Sequence, residues 1–205
     1  MVEYYWKEGM DMASFFDRLG CYILDVLLIF AISSVISVFV PSKGSDISKE
    51  ITALTEKYTN REVGAEVFLE EYGDLMYQYQ KVNYLSIVIS VGLNFIYFVV
   101  FAYFNNGQTI AKKLTKIRVV DNKTGEKAKF WQMLVRNLFI YSLLSNIVML
   151  ILLFSSKNNF VYYYTFAGSF DLIFVMITVM FVLYRKDKRG LHDMMGCTKV
   201  VKESF

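Results

Sequence analysis

Four apolar runs, each about as long as a lipid bilayer is thick, constrain the fold of this chain more than any other feature of its sequence. A bilayer core of about 30 Å needs about 20 helical residues, because each residue advances a helix by roughly 1.5 Å. The runs are residues 19–40, 84–104, 133–154 and 161–184, and the charged residues within them are Asp25, Arg136 and Asp171. We therefore predict four transmembrane helices, which makes the lipid bilayer the first partner of this chain.

Composition and cysteine placement limit what the rest of the chain can be. Its 205 residues suffice for one domain, residues 1–205, in which 55% apolar and 20% charged residues are segregated along the sequence. A net charge of +3 is too small to indicate a nucleic-acid partner. Cys21 lies in the first run and Cys197 near the end, so a disulfide framework is not expected, and neither cysteine has a metal-ligand spacing. We expect no metal and no cofactor.

The placement of basic residues predicts the orientation of the four spans. Sixteen of the 22 lysines and arginines precede the first run, lie between residues 105 and 136, or follow residue 184. Basic residues accumulate on the cytoplasmic side of a membrane. We therefore predict that both termini are cytoplasmic, together with loop 105–132 and tail 185–205. Segment 41–83, with eight acidic residues, is then the external loop.

The segments between the runs predict additional structure. Segment 41–83 carries apolar residues at helix-like intervals, which predicts one or two amphipathic helices. Residues 116–121 alternate, 122–125 form a turn, and 126–130 and 198–202 are candidate partner strands. The predicted fold is an all-α integral membrane protein: a four-helix transmembrane bundle with an external amphipathic helical loop and a small cytoplasmic β element.

Acidic side chains within the runs are the candidate ion or proton sites. Arg18, Cys21 and Asp25 are spaced by three and then four residues, so they share one helix face. Direct or water-bridged pairing of Arg18 with Asp25 is left open by this spacing. A buried carboxylate costs at least about 2.5 kcal/mol in a bilayer, so Asp25 and Asp171 should face the bundle interior or a wet cavity. Ion handling and structural pairing are equally open for both.

Smaller polar residues form stripes on the same runs. Ser90 and Asn94 lie four residues apart in the second run and are additional candidates for an ion or substrate site. Serine and asparagine stripes more often make hydrogen bonds between helices, and we favour that interpretation for the stripes.

Three sequence blocks resemble one family of bacterial membrane proteins, the RDD family. The residues that match its signature are Arg18 and Asp25, then Gly107, Thr109, Lys112 and Arg136, and finally His192 and Asp193. Cys21 and Ala111 stand where the family pattern has alanine and glycine. The resemblance implies a multi-pass protein of the bacterial cell membrane, and transport or ion exchange is the function proposed for that family.

The adjacent His192 and Asp193 invite an acid–base interpretation, but no nucleophile, metal cluster or phosphate loop accompanies them. We expect a helix-capping or sheet-fastening role, and we do not expect an enzyme.

Two functions follow from these residues. The first is a small transporter or cation/proton exchange protein that uses Asp25 and Asp171 and works as a homo-oligomer, because four spans enclose little volume. The alternative is a non-transporting scaffold or regulatory partner of another membrane protein. A wet cavity at the two acids would favour the first function, whereas a dry, fully paired Asp25 would favour the second.

Overall fold

The computed structural model describes residues 11–40 and 43–203, with the backbone alone for residue 165. This part of the chain is mostly helical, with a small two-stranded sheet. The helices and strands are α1 Phe15–Phe39, α2 Ser45–Thr59, α3 Ala65–Val82, α4 Tyr84–Phe95, a π-helical stretch Ile96–Phe101, α5 Ala102–Phe104, α6 Ile110–Leu114, β1 Ile117–Asp121, α7 Phe130–Ile140, α8 Leu143–Ser155, α9 Lys157–Tyr184, α10 Leu191–Met195 and β2 Thr198–Lys202.

Among the described residues, three helices are long and apolar enough to cross a membrane. They are α1, the continuous helix Tyr84–Phe104 and α9. Helices α7 and α8 together meet the same criteria but are bent by 73° at their junction, and counting this pair as one span gives four. The chain therefore has the helices of a membrane protein with multiple spans.

The bend between α7 and α8 departs from the single run predicted over residues 133–154. Ser142 adopts a left-handed backbone conformation with φ 52°, and its N–H bonds to the carbonyl of Phe139. A left-handed residue stops the regular helical hydrogen-bond pattern, so the helix ends at Ile140 and restarts at Leu143. Apolar composition continues across this junction, which is why hydropathy alone does not reveal it.

Tertiary contacts divide the chain into two compact units. The first unit is built from the described parts of Met1–Ile32, Gly92–Leu144 and Asp171–Phe205. Its core contains the sheet, in which β1 and β2 pair antiparallel from Ile117 opposite Lys202 to Asp121 opposite Thr198. The valines of both strands are buried because the apolar face of a sheet this small needs helices to cover it. Of the two candidate partner strands, residues 198–202 form β2, whereas residues 126–130 contribute one isolated bridge between Lys127 and Val120.

The second unit comprises Ser33–Val91 and Ser145–Phe170 and contains α2 and α3. Both helices lie in segment 41–83, where one or two amphipathic helices are predicted, so the prediction of helices there is confirmed. Tyr58 of α2 stacks on Phe68 of α3, with ring centroids 4.3 Å apart. Lys157, the first residue of α9, pairs with Asp74 of α3 at 2.8 Å. These contacts attach α3 to its neighbours within this unit.

Candidate functional site

Asp25 is a buried acidic side chain within the first predicted span. It lies in α1, is fully buried, and accepts hydrogen bonds from the Tyr97 hydroxyl at 2.5 Å and the Thr109 hydroxyl at 2.7 Å. The Ala111 N–H donates to the same carboxylate at 3.4 Å, and Lys112 Nζ lies 3.7 Å from Oδ2. A buried carboxylate with two hydroxyl donors and a lysine has its desolvation cost offset by its neighbours.

Local backbone features place these donors around Asp25. Tyr97 lies in the π-helical stretch, where an extra residue per turn changes the direction in which side chains point. Thr109 is the N-cap of α6, and its hydroxyl accepts from the Lys112 N–H. Gly107 precedes this cap with φ 82°, and a Cβ there would collide with the carbonyl oxygen of Val119. Glycine at position 107 therefore permits the close turn that brings α6 to Asp25.

Asp193 is the centre of a second buried cluster in the first unit. Its Oδ2 accepts from Arg18 Nη1 at 2.7 Å and from the Gly190 N–H at 3.1 Å. Its Oδ1 accepts from Arg136 Nη1, and His192 Nε2 lies 3.5 Å away. One carboxylate thus ties together α1, α7 and α10.

Electrostatics at this cluster keep Asp193 charged and His192 neutral. Burial would raise the pKa of Asp193, but Arg136, His192 and Arg18 together hold it well below its usual range. Burial also lowers the pKa of His192 to about 3, against the opposing effect of Asp193. At neutral pH this pair is therefore a carboxylate beside a neutral imidazole.

Glycines allow the close packing around Asp193. A Cβ at Gly190 would come within 2.8 Å of the Thr178 methyl group, and one at Gly196 within 2.8 Å of the Gln132 carbonyl. Both approaches are closer than side chains tolerate. The helix α10 therefore fits against its neighbours because both residues that flank it lack a side chain.

Asp171 has a different environment from Asp25. It lies midway along α9, is partly exposed, and lines a cavity of about 320 Å³ in the first unit. Asn94 and Ser142 contribute polar side chains to the same cavity, and Tyr22 and Tyr141 form part of its wall. The cavity is large enough for several water molecules. Asp171 is thus the acidic residue of the predicted spans that lines an accessible cavity in the described structure.

The predicted site residues fall into three groups. Asp25, Thr109 and Lys112 meet in one cluster, and Arg18, Arg136, His192 and Asp193 meet in another. Asn94 joins Asp171, whereas Ser90 belongs to the second unit, where it lines a cavity of about 190 Å³ with Ser33, Ser37 and Ser86. The pairing of Arg18 with Asp25, which the spacing left open, is replaced by a pair between Arg18 and Asp193.

Sequence reasoning missed Tyr97 as a partner of Asp25. Tyrosines are frequent in the apolar runs, and the π-helical stretch that directs Tyr97 inward has no signature in the sequence. It also missed Asp193 as the partner of Arg18, because residues 18 and 193 are far apart along the chain.

Comparison with known proteins identifies one family. The sequence profile of the RDD family matches residues 12–196. Curated proteins and solved structures give no match.

Proposed function

Since the chain belongs to the RDD family, we propose that it is a multi-pass protein of the cell membrane that exchanges cations or protons through Asp171, and that it is not an enzyme. The observation that carries this proposal is the cavity of about 320 Å³ that Asp171 lines together with Asn94 and Ser142. Carboxylate, amide and hydroxyl oxygens are the ligands that hard monovalent and divalent cations take in proteins. An acidic residue that faces a cavity within an apolar helix is by default a functional candidate.

Asp25 has a positioning role in this proposal. Its carboxylate already has three donors and a neighbouring lysine, so binding a cation there would require displacing Lys112 or one of the donors. Of the two acidic residues expected to bind the ion, we therefore propose that only Asp171 does so. Asp25 instead fixes α1 to Tyr97 and α6.

The proposed assembly has both termini in the cytoplasm and four spans, with α7 and α8 forming the third. The excess of basic residues near the termini and in loop 105–132 supports this orientation. Four spans enclose little volume, so we propose that the protein works as a homo-oligomer.

Ion flux in reconstituted vesicles tests the proposed function. Asp171→Asn retains the shape and hydrogen-bonding capacity of the side chain but removes its charge and its titratable proton. We expect wild-type protein to carry Na⁺ or K⁺ in exchange for protons and Asp171→Asn to abolish this flux at an equal amount of folded protein. Asp46→Asn, at a highly exposed position in α2, is the matched control and should retain full flux. Undiminished flux in Asp171→Asn would contradict the proposal.

A second function is supported by the paired state of Asp25. A buried carboxylate that is already held by protein donors suits a non-transporting scaffold or regulatory partner of another membrane protein, because no ion has to reach it. In that case wild-type vesicles would show no flux above vesicles without protein. The second unit, with the exposed faces of α2 and α3, would then be the surface that contacts the partner.

A further inference from the structure

A second cavity of the first unit, of about 160 Å³, adjoins the Asp171 cavity, and Tyr22, Ile140, Tyr141 and Val175 line both. We call it the Arg18 cavity. Its walls are mostly apolar, and its lining includes Arg18, Tyr22, Arg136, Thr178, Val179 and His192. Its volume is about ten times what one water molecule requires, so it has room for a small polyatomic group.

Several polar atoms in this lining are buried without a hydrogen-bond partner among the described residues. They are Arg18 Nε, Arg18 Nη2, Thr178 Oγ1 and His192 Nδ1. Thr178 and His192 are each more than nine-tenths buried. Unpartnered buried donors are rare in folded proteins, and each indicates an unseen partner or an unrelieved cost. Three of these atoms, Arg18 Nε, Arg18 Nη2 and Thr178 Oγ1, can donate a hydrogen bond, so they indicate a ligand that accepts hydrogen bonds.

The charges around the cavity indicate the sign of that ligand. Arg18 and Arg136 share the single carboxylate of Asp193, so these three side chains together carry one net positive charge. Lys112 also lines the cavity, but its partner Asp25 makes that pair neutral as a whole. His192 adds no negative charge. An anion therefore fits this cavity better than a cation or a water molecule.

Arg18 also indicates the shape of the anion. Its Nη1 is used by Asp193, while Nε and Nη2 form the edge of the guanidinium that matches two oxygens of one oxyanion. The Thr178 hydroxyl provides a further donor. Apolar residues from α1 and α9, including Leu19, Tyr22 and Val179, line the cavity and suit a hydrocarbon chain attached to the oxyanion.

We propose that the Arg18 cavity binds a phosphate group through Arg18 and Thr178, supplied either by a phospholipid headgroup or by inorganic phosphate. The apolar lining favours the lipid source. This proposal does not depend on ion exchange at Asp171, because Arg18 and Thr178 line only the Arg18 cavity and Asp171 lines only the other one.

Binding to full-length protein in detergent tests the proposal. The probes are short-chain phosphatidic acid, the diacylglycerol of the same chain length, and inorganic phosphate, each titrated and followed by native mass spectrometry. We expect phosphatidic acid to bind and diacylglycerol not to bind. If inorganic phosphate displaces the lipid at the same site, the free ion is the source; if it does not, the lipid headgroup is.

Two variants locate the binding without disturbing Asp193. Thr178→Val removes a hydroxyl that has no partner in the described structure, so it should fold normally and weaken binding about tenfold. Val179→Trp should fill the cavity and abolish binding, whereas Ile177→Trp, at an exposed position outside the lining, should leave it intact. If neither phosphate probe binds, or if Thr178→Val and Val179→Trp bind as the wild type does, the proposal is wrong.

Discussion

Asp193 is the residue on which two arginines of the first unit converge. It receives Arg18 from α1 and Arg136 from α7, and its carboxylate also accepts from the N-terminal backbone of α10. Removing one partner from a buried cluster of this kind leaves the others with uncompensated charge. Asp193 thereby holds helices from distant parts of the sequence against one another.

The neighbouring His192 makes the stability of the protein depend on pH. Burial lowers its pKa to about 3, whereas the unfolded chain has a histidine pKa of about 6.5. As the pH falls below about 6.5, the unfolded chain binds a proton that the folded protein does not. We therefore expect the free energy of unfolding to decrease by about 2 kcal/mol between pH 7 and pH 5.

Melting temperatures of the detergent-purified protein at these two pH values measure the effect. His192 is the only histidine of the chain, and the carboxylates with lowered pKa titrate below this window. In His192→Gln the melting temperature should therefore fall much less between pH 7 and pH 5 than it does in the wild type. An equal decrease in both proteins would show that His192 is not the group responsible.

The individual site residues could be predicted from sequence better than their partners could. The acidic and basic residues stood out because charge is rare in the apolar runs and because the three blocks resemble a family signature. Arg18 and Asp25 share a helix face, so they were the natural pair to consider. The structure gives each a partner from a distant segment, Asp193 and Thr109, and spacing within one helix carries no information about such contacts.

Elements are joined by a few backbone positions that tolerate no side chain. Gly107, between α5 and α6, combines a left-handed conformation with close contact to the Val119 carbonyl of β1. Its own carbonyl accepts the Val119 N–H at 3.0 Å. The turn after the second span is thereby attached to the sheet.

Gly107→Ala tests this attachment against a matched glycine. Gly125 also has a positive φ, 70°, but no atom lies near the position its Cβ would take. Gly125→Ala should therefore cost only the left-handed strain, about 1 kcal/mol, whereas Gly107→Ala should cost at least about 3 kcal/mol. Chemical or thermal unfolding of both variants measures the difference. Equal losses would mean that the contact with Val119 contributes nothing.

The sequence predicts which segments are helical, but it does not predict where the helices are bent or change to π-helical geometry. Apolar runs and helical periodicity located α1, α9 and the helices of segment 41–83 because burial and lipid contact both require those patterns. The bend at Ser142 and the π-helical stretch at Ile96–Phe101 lie inside uniformly apolar sequence. Without a proline or glycine at these points, composition gives no sign of a break.

At the scale of the whole molecule, the orientation in the membrane is a prediction from charge. Cysteines introduced at Lys123 and Glu62 test it with a thiol reagent that does not cross membranes, in protein whose exposed Cys197 is replaced by serine. Because basic residues concentrate on the cytoplasmic side, position 62 should react in intact cells and position 123 only after the membrane is opened. Labelling of position 123 in intact cells would show that loop 105–132 is external and would contradict the predicted orientation.

The central claim is that Asp171, and not Asp25, binds the exchanged cation or proton. A membrane-permeant carbodiimide modifies protonated carboxyl groups that it can reach, and peptide mass spectrometry identifies the modified residue. In full-length protein in vesicles, modification should occur at Asp171, which lines a cavity, and Na⁺ or K⁺ should protect it. Asp25, which is fully buried and paired, should remain unmodified. Modification of Asp25 in preference to Asp171, or of Asp171 at the same rate whatever the concentration of Na⁺ or K⁺, would contradict the account.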